Sequence, residues 1–491
     1  MDDWRSKAEK LYAETADIAA FMRRGMLAGA VSKLTISKSR GKSVWLCSFD
    51  DKSGIVYVPD DVVTLGAYWS SEARHPIDRL HTLVVCGGRN LKAFGALFLG
   101  SALTYLDLRD LNCSKVKSLD SAFRNCRWLT RIAMPKTGFP KVEEIKYMFK
   151  GCYTLLSLDA SALNTSLVKD MTSVFSGCHT LTKIDLSSWD FSSVENVSMM
   201  FYCCDQLREV NMKGVPATKL VTGQGMFASC SQLRSVALFD FSDGGFTDIH
   251  EMFVACHSLN DPRAFSALTS TVTNADSMFR GCKALQDVDL SGASVECVKT
   301  AIRMFDKCPK LRSVSFRGLH FASCTDISHM FSDCPELEKI DLMEARFPVV
   351  ETMVEMCSGC GSLKEFSFAA FDVSRVVSFE EAFFGCKSLE RVDFTGFTPV
   401  SVEVFRGMFR NCVSLREASI PACDINVEKC DCTRMFSGCK SLTKLNMGGV
   451  RCKKFVGAGV MLTVGCELLT EENKRNPQEL PKQPKRWGTQ T

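Results

Sequence analysis

The stretch Val174-Phe175-Ser176-Gly177-Cys178-His179-Thr180-Leu181-Thr182-Lys183-Ile184-Asp185-Leu186-Ser187 decides the fold, because it recurs. Its cysteine belongs to a series. Cys126, Cys152, Cys178, Cys204, Cys230, Cys256, Cys282, Cys308, Cys334, Cys360, Cys386 and Cys412 stand 26 residues apart, and Cys439 and Cys466 follow at 27. Three residues before the cysteine stands a Phe in almost every repeat, from Phe123 to Phe436, usually preceded by Met. Three residues after it stands a Leu, from Leu129 to Leu442. A period of this length marks a repeat array in which each unit buries its faces against its neighbours.

Two periodicities lie inside each unit. Ile184 and Leu186 flank Asp185 with the alternation of a strand. Further on, Val194, Val197, Met200, Phe201 and Cys204 are spaced as one face of a short helix. The expected unit is therefore a short strand, a polar turn and a short helix leading to the next strand. The repeat M-F-x-x-C-x-x-L-x-x-[LIV] resembles the leucine-rich repeats of the BspA-like class, the 26-residue repeats of bacterial surface proteins. The stretch 174–187 carries that resemblance almost residue for residue, and it extends over about residues 91–469. It implies an α/β solenoid of about 14 repeats, with a parallel sheet on the concave face and short helices on the convex face. It also implies a binding role and no shared reaction.

The ends depart from the period. Residues 1–90 are expected to form an N-terminal cap. Trp4, Leu11, Ile18, Phe21 and Met22 suggest an amphipathic helix over 1–30, and strands are expected at 31–36, 44–49 and 55–58. Leu80, Leu83 and Val85 resemble a degenerate first repeat. Residues 470–491 read as a polar, disordered tail, in which Lys482, Lys485 and Arg486 beside Trp487 form a solvated end or a docking peptide. One repeat is irregular: Pro262 replaces the usual Val or Ile, followed by Arg263, and proline is disfavoured in a central strand. Either repeat decay or a bend or binding site explains it.

The chain has 491 residues, a net charge of +4 and 25 cysteines. The charge balance excludes a strongly nucleic-acid-binding class, and no apolar run is long enough to span a membrane. The opening MDDWRSKAEKLYAETADIAAF lacks the apolar core of an export signal, so a reducing cytosol is expected, with the cell surface as the alternative. Equivalent cysteines in stacked repeats point the same way, which disfavours disulfides. Cys423, Cys430, Cys432, Cys439 and Cys452 crowd the region where the spacing slips and are the one candidate zinc cluster, without a nearby His. The in-register cysteines are best read as compact apolar side chains that stack on themselves.

Catalytic signatures are broken. Gly41-Lys42-Ser43 lacks the earlier glycine of a phosphate loop, and Gly223-Gln224-Gly225 and Gly457-Ala458-Gly459 lack the third glycine of a dinucleotide loop. No cofactor is expected. The informative surface is the sheet. The residue between the two strand apolars reads Asp159, Asp185, Asn211, Asp289, Asp341 and Asp393 along the array. Asp-x-Ser at these places can satisfy local backbone donors, or the row can receive a basic partner. Two residues earlier the same face carries Lys183, Glu209, Asp287, Lys339 and Arg391, a row that varies as partner specificity requires. The expected function is a non-catalytic, monomeric scaffold that binds a protein partner on its concave face. The rivals are a surface adhesin and an enzyme with its site in residues 1–90.

Overall fold

A computed structural model describes residues 31–35, 43–48, 53–58, 60, 62–65, 80–95, 98, 101–215, 217–237, 245–261, 268–446, 450–457 and 461. The expected helix over 1–30, the irregular Pro262 and Arg263, the last repeat cysteine Cys466 and the tail 470–491 lie outside these residues. The chain forms two compact units, Met1–Lys219 and Leu220–Thr491.

The first unit contains a six-stranded sheet. Val31–Thr35, Ser43–Ser48 and Ser53–Val58 run antiparallel to one another. Thr82–Gly87 then pairs parallel with Ser53–Val58, and Tyr105–Asp107 and Arg131–Ala133 extend the sheet in parallel. Leu83 stands opposite Leu106, so the Leu80–Val85 stretch holds repeat register. Further along, Lys183–Asp185 pairs parallel with Glu209–Asn211.

The second unit repeats the design. Asp287–Asp289, Ser313–Ser315 and Lys339–Asp341 form one parallel ladder, and Glu365–Ser367 pairs with Arg391–Asp393. Glu417–Ser419 pairs with Lys444–Asn446, a step of 27 residues. There the returning segment gains strands of its own: Cys423–Ile425 pairs with Val450–Cys452, and Cys430–Asp431 pairs with Phe455–Val456.

The parallel solenoid is as expected, but the returning helix is not. Among the described residues the single helical element is a one-turn 3-10 helix, Ala160–Ala162. The reason lies in the backbone. Tyr147 and Gly151 have φ of 56° and 76°, and the equivalent pair in most coils is also left-handed. A left-handed residue at every fourth position rules out an α-helix. Instead the N–H groups alternate in direction. Those of Tyr147, Phe149 and Gly151 donate to the carbonyls of Thr172, Val174 and Ser176 in the next coil, at 3.0, 2.8 and 2.7 Å. Those of Met148, Lys150 and Cys152 close tight turns on Ile145, Tyr147 and Phe149. The apolar steps that read as a helix are the inward positions of this ladder of turns.

The core is a set of stacked rows. Phe123, Phe149, Phe175 and Phe201 stack in the first unit with ring centres 5.1–5.7 Å apart. Phe227, Phe253, Phe279, Phe305 and Phe331 do so in the second at 5.4–5.8 Å. Cys357 interrupts that row. In the same coil Phe366 takes a strand centre usually filled by Val or Ile, and it meets Phe383 at 4.8 Å.

Candidate functional site

The cysteines do more than fill space. The Cys152 thiol donates to the Phe123 carbonyl at 3.1 Å, and Cys178 to Phe149 at 3.4 Å. The pattern continues through Cys256, Cys282, Cys308, Cys334, Cys360 and Cys412. The same Phe149 carbonyl accepts the Cys152 N–H at 3.0 Å, so both of its lone pairs are used. Sequence reasoning missed this bond, which explains why a thiol rather than a methyl recurs. Burial pushes the Cys178, Cys282 and Cys412 thiols well up, so they are neutral donors and poor nucleophiles.

At the candidate zinc cluster Cys423, Cys430 and Cys452 lie on three different strands, and Cys432 sits just beyond Cys430. Cys439 keeps its place in the thiol ladder, donating to Phe409 at 3.0 Å. Cys452 faces the Lys454 carbonyl at 3.6 Å. Burial raises Cys423 to about 11, and Cys430 is pushed up by the neighbouring Cys432 thiol and by burial. Among the described residues no three His, Cys, Asp or Glu side chains are placed to hold a metal ion.

The two polar rows of the sheet differ in their work. In the strand-end row, Asp185, Asp289 and Asp393 accept the N–H two residues on, Ser187, Ser291 and Thr395, each at 2.9 Å. Asn211 and Asp341 do the same for Lys213 and Met343 at 3.2 and 3.1 Å. Those bonds hold the Asp185 and Asp289 carboxyls below the ordinary range. Asp159 likewise accepts the Ser161 N–H at 3.1 Å, which caps the one-turn helix, and it lines a shallow groove of about 500 Å³ with Arg109 and Lys136. The strand-end row therefore tightens the turn after each strand.

The strand-start row is differently placed. Lys183, Glu209, Asp287, Lys339 and Arg391 are all exposed. Register sets Glu209 beside Lys183 and Arg391 beside Glu365, while Ser313 lies between Asp287 and Lys339. Lys339 reaches its own strand's Asp341 only at 3.9 Å.

On the second unit the sheet face opens into a groove of about 870 Å³. Glu365, Arg391, Asp393 and Glu417 supply its charged wall, and Ile340, Leu342, Phe366 and Val392 supply its apolar floor. Met343, 52 % exposed, stands at its rim. Ala369 and Ala370 make room for it, where the neighbouring coils carry Met343-Glu344 and Thr395-Gly396. Arg391 and Asp393 are thus brought to one groove, whereas the other sequence-predicted residues among those described lie outside it. The Ala-Ala pair and the strand-centre Phe366 were the visible signs of the groove.

Residues further round the coil escaped the sequence reading. Asp170 and Asn196 in the first unit, and Asp248, Asn274, Asp326 and Asp431 in the second, lie on parallel single bridges eight residues before each cysteine. Their side chains accept the N–H two residues on, as Asp170 does from Thr172 at 2.8 Å. Ser, Thr, Asn and Asp recurring at this position were the signal.

Among the described residues no helix is long and apolar enough to cross a membrane. No curated protein matches the chain. Among solved structures it is similar to a leucine-rich repeat protein from Bacteroides ovatus, at 18% identity over 85% of this chain and 91% of that one, with a TM-score of 0.46. It is also similar to a leucine-rich repeat protein from Eubacterium ventriosum, at 18% identity over 86% and 95%, TM-score 0.41. A third similar structure is a leucine rich cell surface protein from Faecalibacterium prausnitzii, at 16% identity over 83% and 93%, TM-score 0.32. A family model described as "Mycoplasma protein of unknown function, DUF285" matches residues 117–237, 224–341 and 325–447, so the chain, with its 26-residue leucine-rich repeats of the BspA-like type, belongs to that family.

Proposed function

We propose that the protein is a non-catalytic scaffold that binds a protein partner on the exposed face of its parallel sheet. The observation that carries this reading is the groove of about 870 Å³ on the second unit, with its alternating charges Glu365, Arg391 and Glu417. These side chains project from strands whose backbone is fixed by the ladder, so their points of attachment are set before a partner arrives. Preorganisation lowers the entropy that association must otherwise spend. An apolar floor rimmed by charges is also the arrangement of an interface centre and its rim.

The strand-start row supplies specificity, because it varies from coil to coil and its side chains are not needed by the turns. The strand-end Asp row supports it by tightening those turns. A reducing compartment is part of this proposal, because a thiol that donates a hydrogen bond must stay reduced. Affinity capture from the native cell tests the reading with Glu365→Lys and Arg391→Glu. A partner retained by wild type and lost by both folded variants is expected. The same set of partners in all three captures would discard the proposal.

A further inference from the structure

Another patch, on the first unit, collects cations that make no ion pair. Residues 121–133, 147–159 and 173–185 are the corresponding stretches of three successive coils. They contain Arg124, Arg127, Arg131, Lys150 and Lys183 against two acids, Asp159 and Asp185, which accept the turn N–H groups of Ser161 and Ser187. Among the described residues none of these five cations is in an ion pair, whereas Arg406 and Arg416 of the second unit face Glu380 and Glu390.

The cations are held against aromatic rings. The Arg127 guanidinium lies 5.6 Å from the centre of the Tyr153 ring, whose other neighbour is the His179 ring at 4.9 Å. Arg124 and Lys150 lie 5.5 and 5.2 Å from the centre of Tyr147. Such contacts fix a long cationic side chain without neutralising it. Next to Arg127, Trp128 is 60 % exposed, and Leu156 one coil on is 49 % exposed. An exposed Trp within a cluster of ordered arginines is the composition of a binding hot spot.

We propose that this corner of the first unit docks an acidic segment of a partner protein, one that alternates carboxylates with an apolar anchor seated on Trp128. Charge complementarity selects the acid, since the surface offers unneutralised guanidinium groups suited to carboxylates. The placement of the rings argues against a nucleic acid. Bases need open ring faces to stack on, and the Tyr147 and Tyr153 rings already have cations beside them.

The test is fluorescence anisotropy with the full chain. The probes are a labelled peptide of alternating Glu and Phe and a labelled single-stranded RNA of equal nominal charge. The peptide is expected to bind more tightly than the RNA and to weaken with added salt. The triple variant R124E/R127E/K150E is expected to weaken peptide binding roughly tenfold or more, and Trp128→Ala several-fold. Matched thermal melts identify folded variants, and the milder Arg127→Gln replaces the triple variant if that one does not fold. RNA binding the tighter, no peptide binding, or peptide binding unchanged in the folded variants would each overturn the proposal.

Discussion

The Cys282 thiol donates to the Phe253 carbonyl of the preceding coil at 3.2 Å, and that carbonyl also accepts the N–H of Cys256 at 3.1 Å. Each cysteine thus ties two coils together through a bond that no apolar residue of its size could make. Cys282→Ala removes the bond and leaves a small cavity. We expect a loss of about 1–3 kcal/mol in urea unfolding. Cys282→Ala with unchanged stability would show that the thiol only fills space.

Thiol reactivity separates the ladder from the surface. Cys297 is exposed, whereas Cys282 and its equivalents are buried. A short pulse of alkylating agent on the native protein, read by peptide mass spectrometry, should label Cys297 and spare Cys282. Equal labelling of the two would contradict the buried ladder.

The turn ladder makes a prediction opposite in sign to that of a helix. Ala255 has φ of 56°. In a helix Ala→Gly costs about 1 kcal/mol. Here Ala255→Gly relieves a left-handed residue of its Cβ and should stabilise by roughly 0.5–1 kcal/mol. The midpoint of chemical unfolding decides between the two, and a lower midpoint would restore the helical reading.

The break in the Phe row is compensated within its own coil. Cys357→Phe completes the row but crowds a core that Phe366 already fills. A loss of about 1–3 kcal/mol is expected. Combining it with Phe366→Val should recover part of that loss, and a strictly additive double-mutant cycle would argue against compensation.

The carboxylates divide in their response to pH. Burial raises Asp276 above its ordinary 3.8, so the folded chain binds more protons than the unfolded one just above that pH. Its contribution to stability therefore rises as pH falls toward 3.8. Hydrogen bonds from Ser187 and Ser291 lower Asp185 and Asp289, whose contributions are present above 3.8 and are lost as pH falls below it. Melting temperatures followed from neutral pH to about pH 4 should rise less in Asp276→Asn than in wild type. Parallel curves would remove Asp276 from the account.

The repeat period, the strand positions and the inward series of Phe, Cys and Leu were determined by the sequence alone. Each coil places the same residue type in the same surroundings, so a local pattern and its stacking partner are one and the same. Glu209 beside Lys183, or Val314 beside Ile340, follows from counting 26 residues. The tertiary structure decided what counting could not. Spacings of three and four suit both a helix face and a ladder of turns, and the choice rests on φ at residues such as Tyr147 and Ala255, which have side chains that do not declare it. The Gly and Asn common just before the cysteines, Gly151, Gly177 and Asn411 among them, were the nearest hint. The groove at Arg391 and Asp393 depends on small and large side chains meeting from four coils. The thiol bonds depend on a carbonyl 29 residues away facing the sulfur. Both are properties of packed neighbours, and only the folded chain brings those neighbours together.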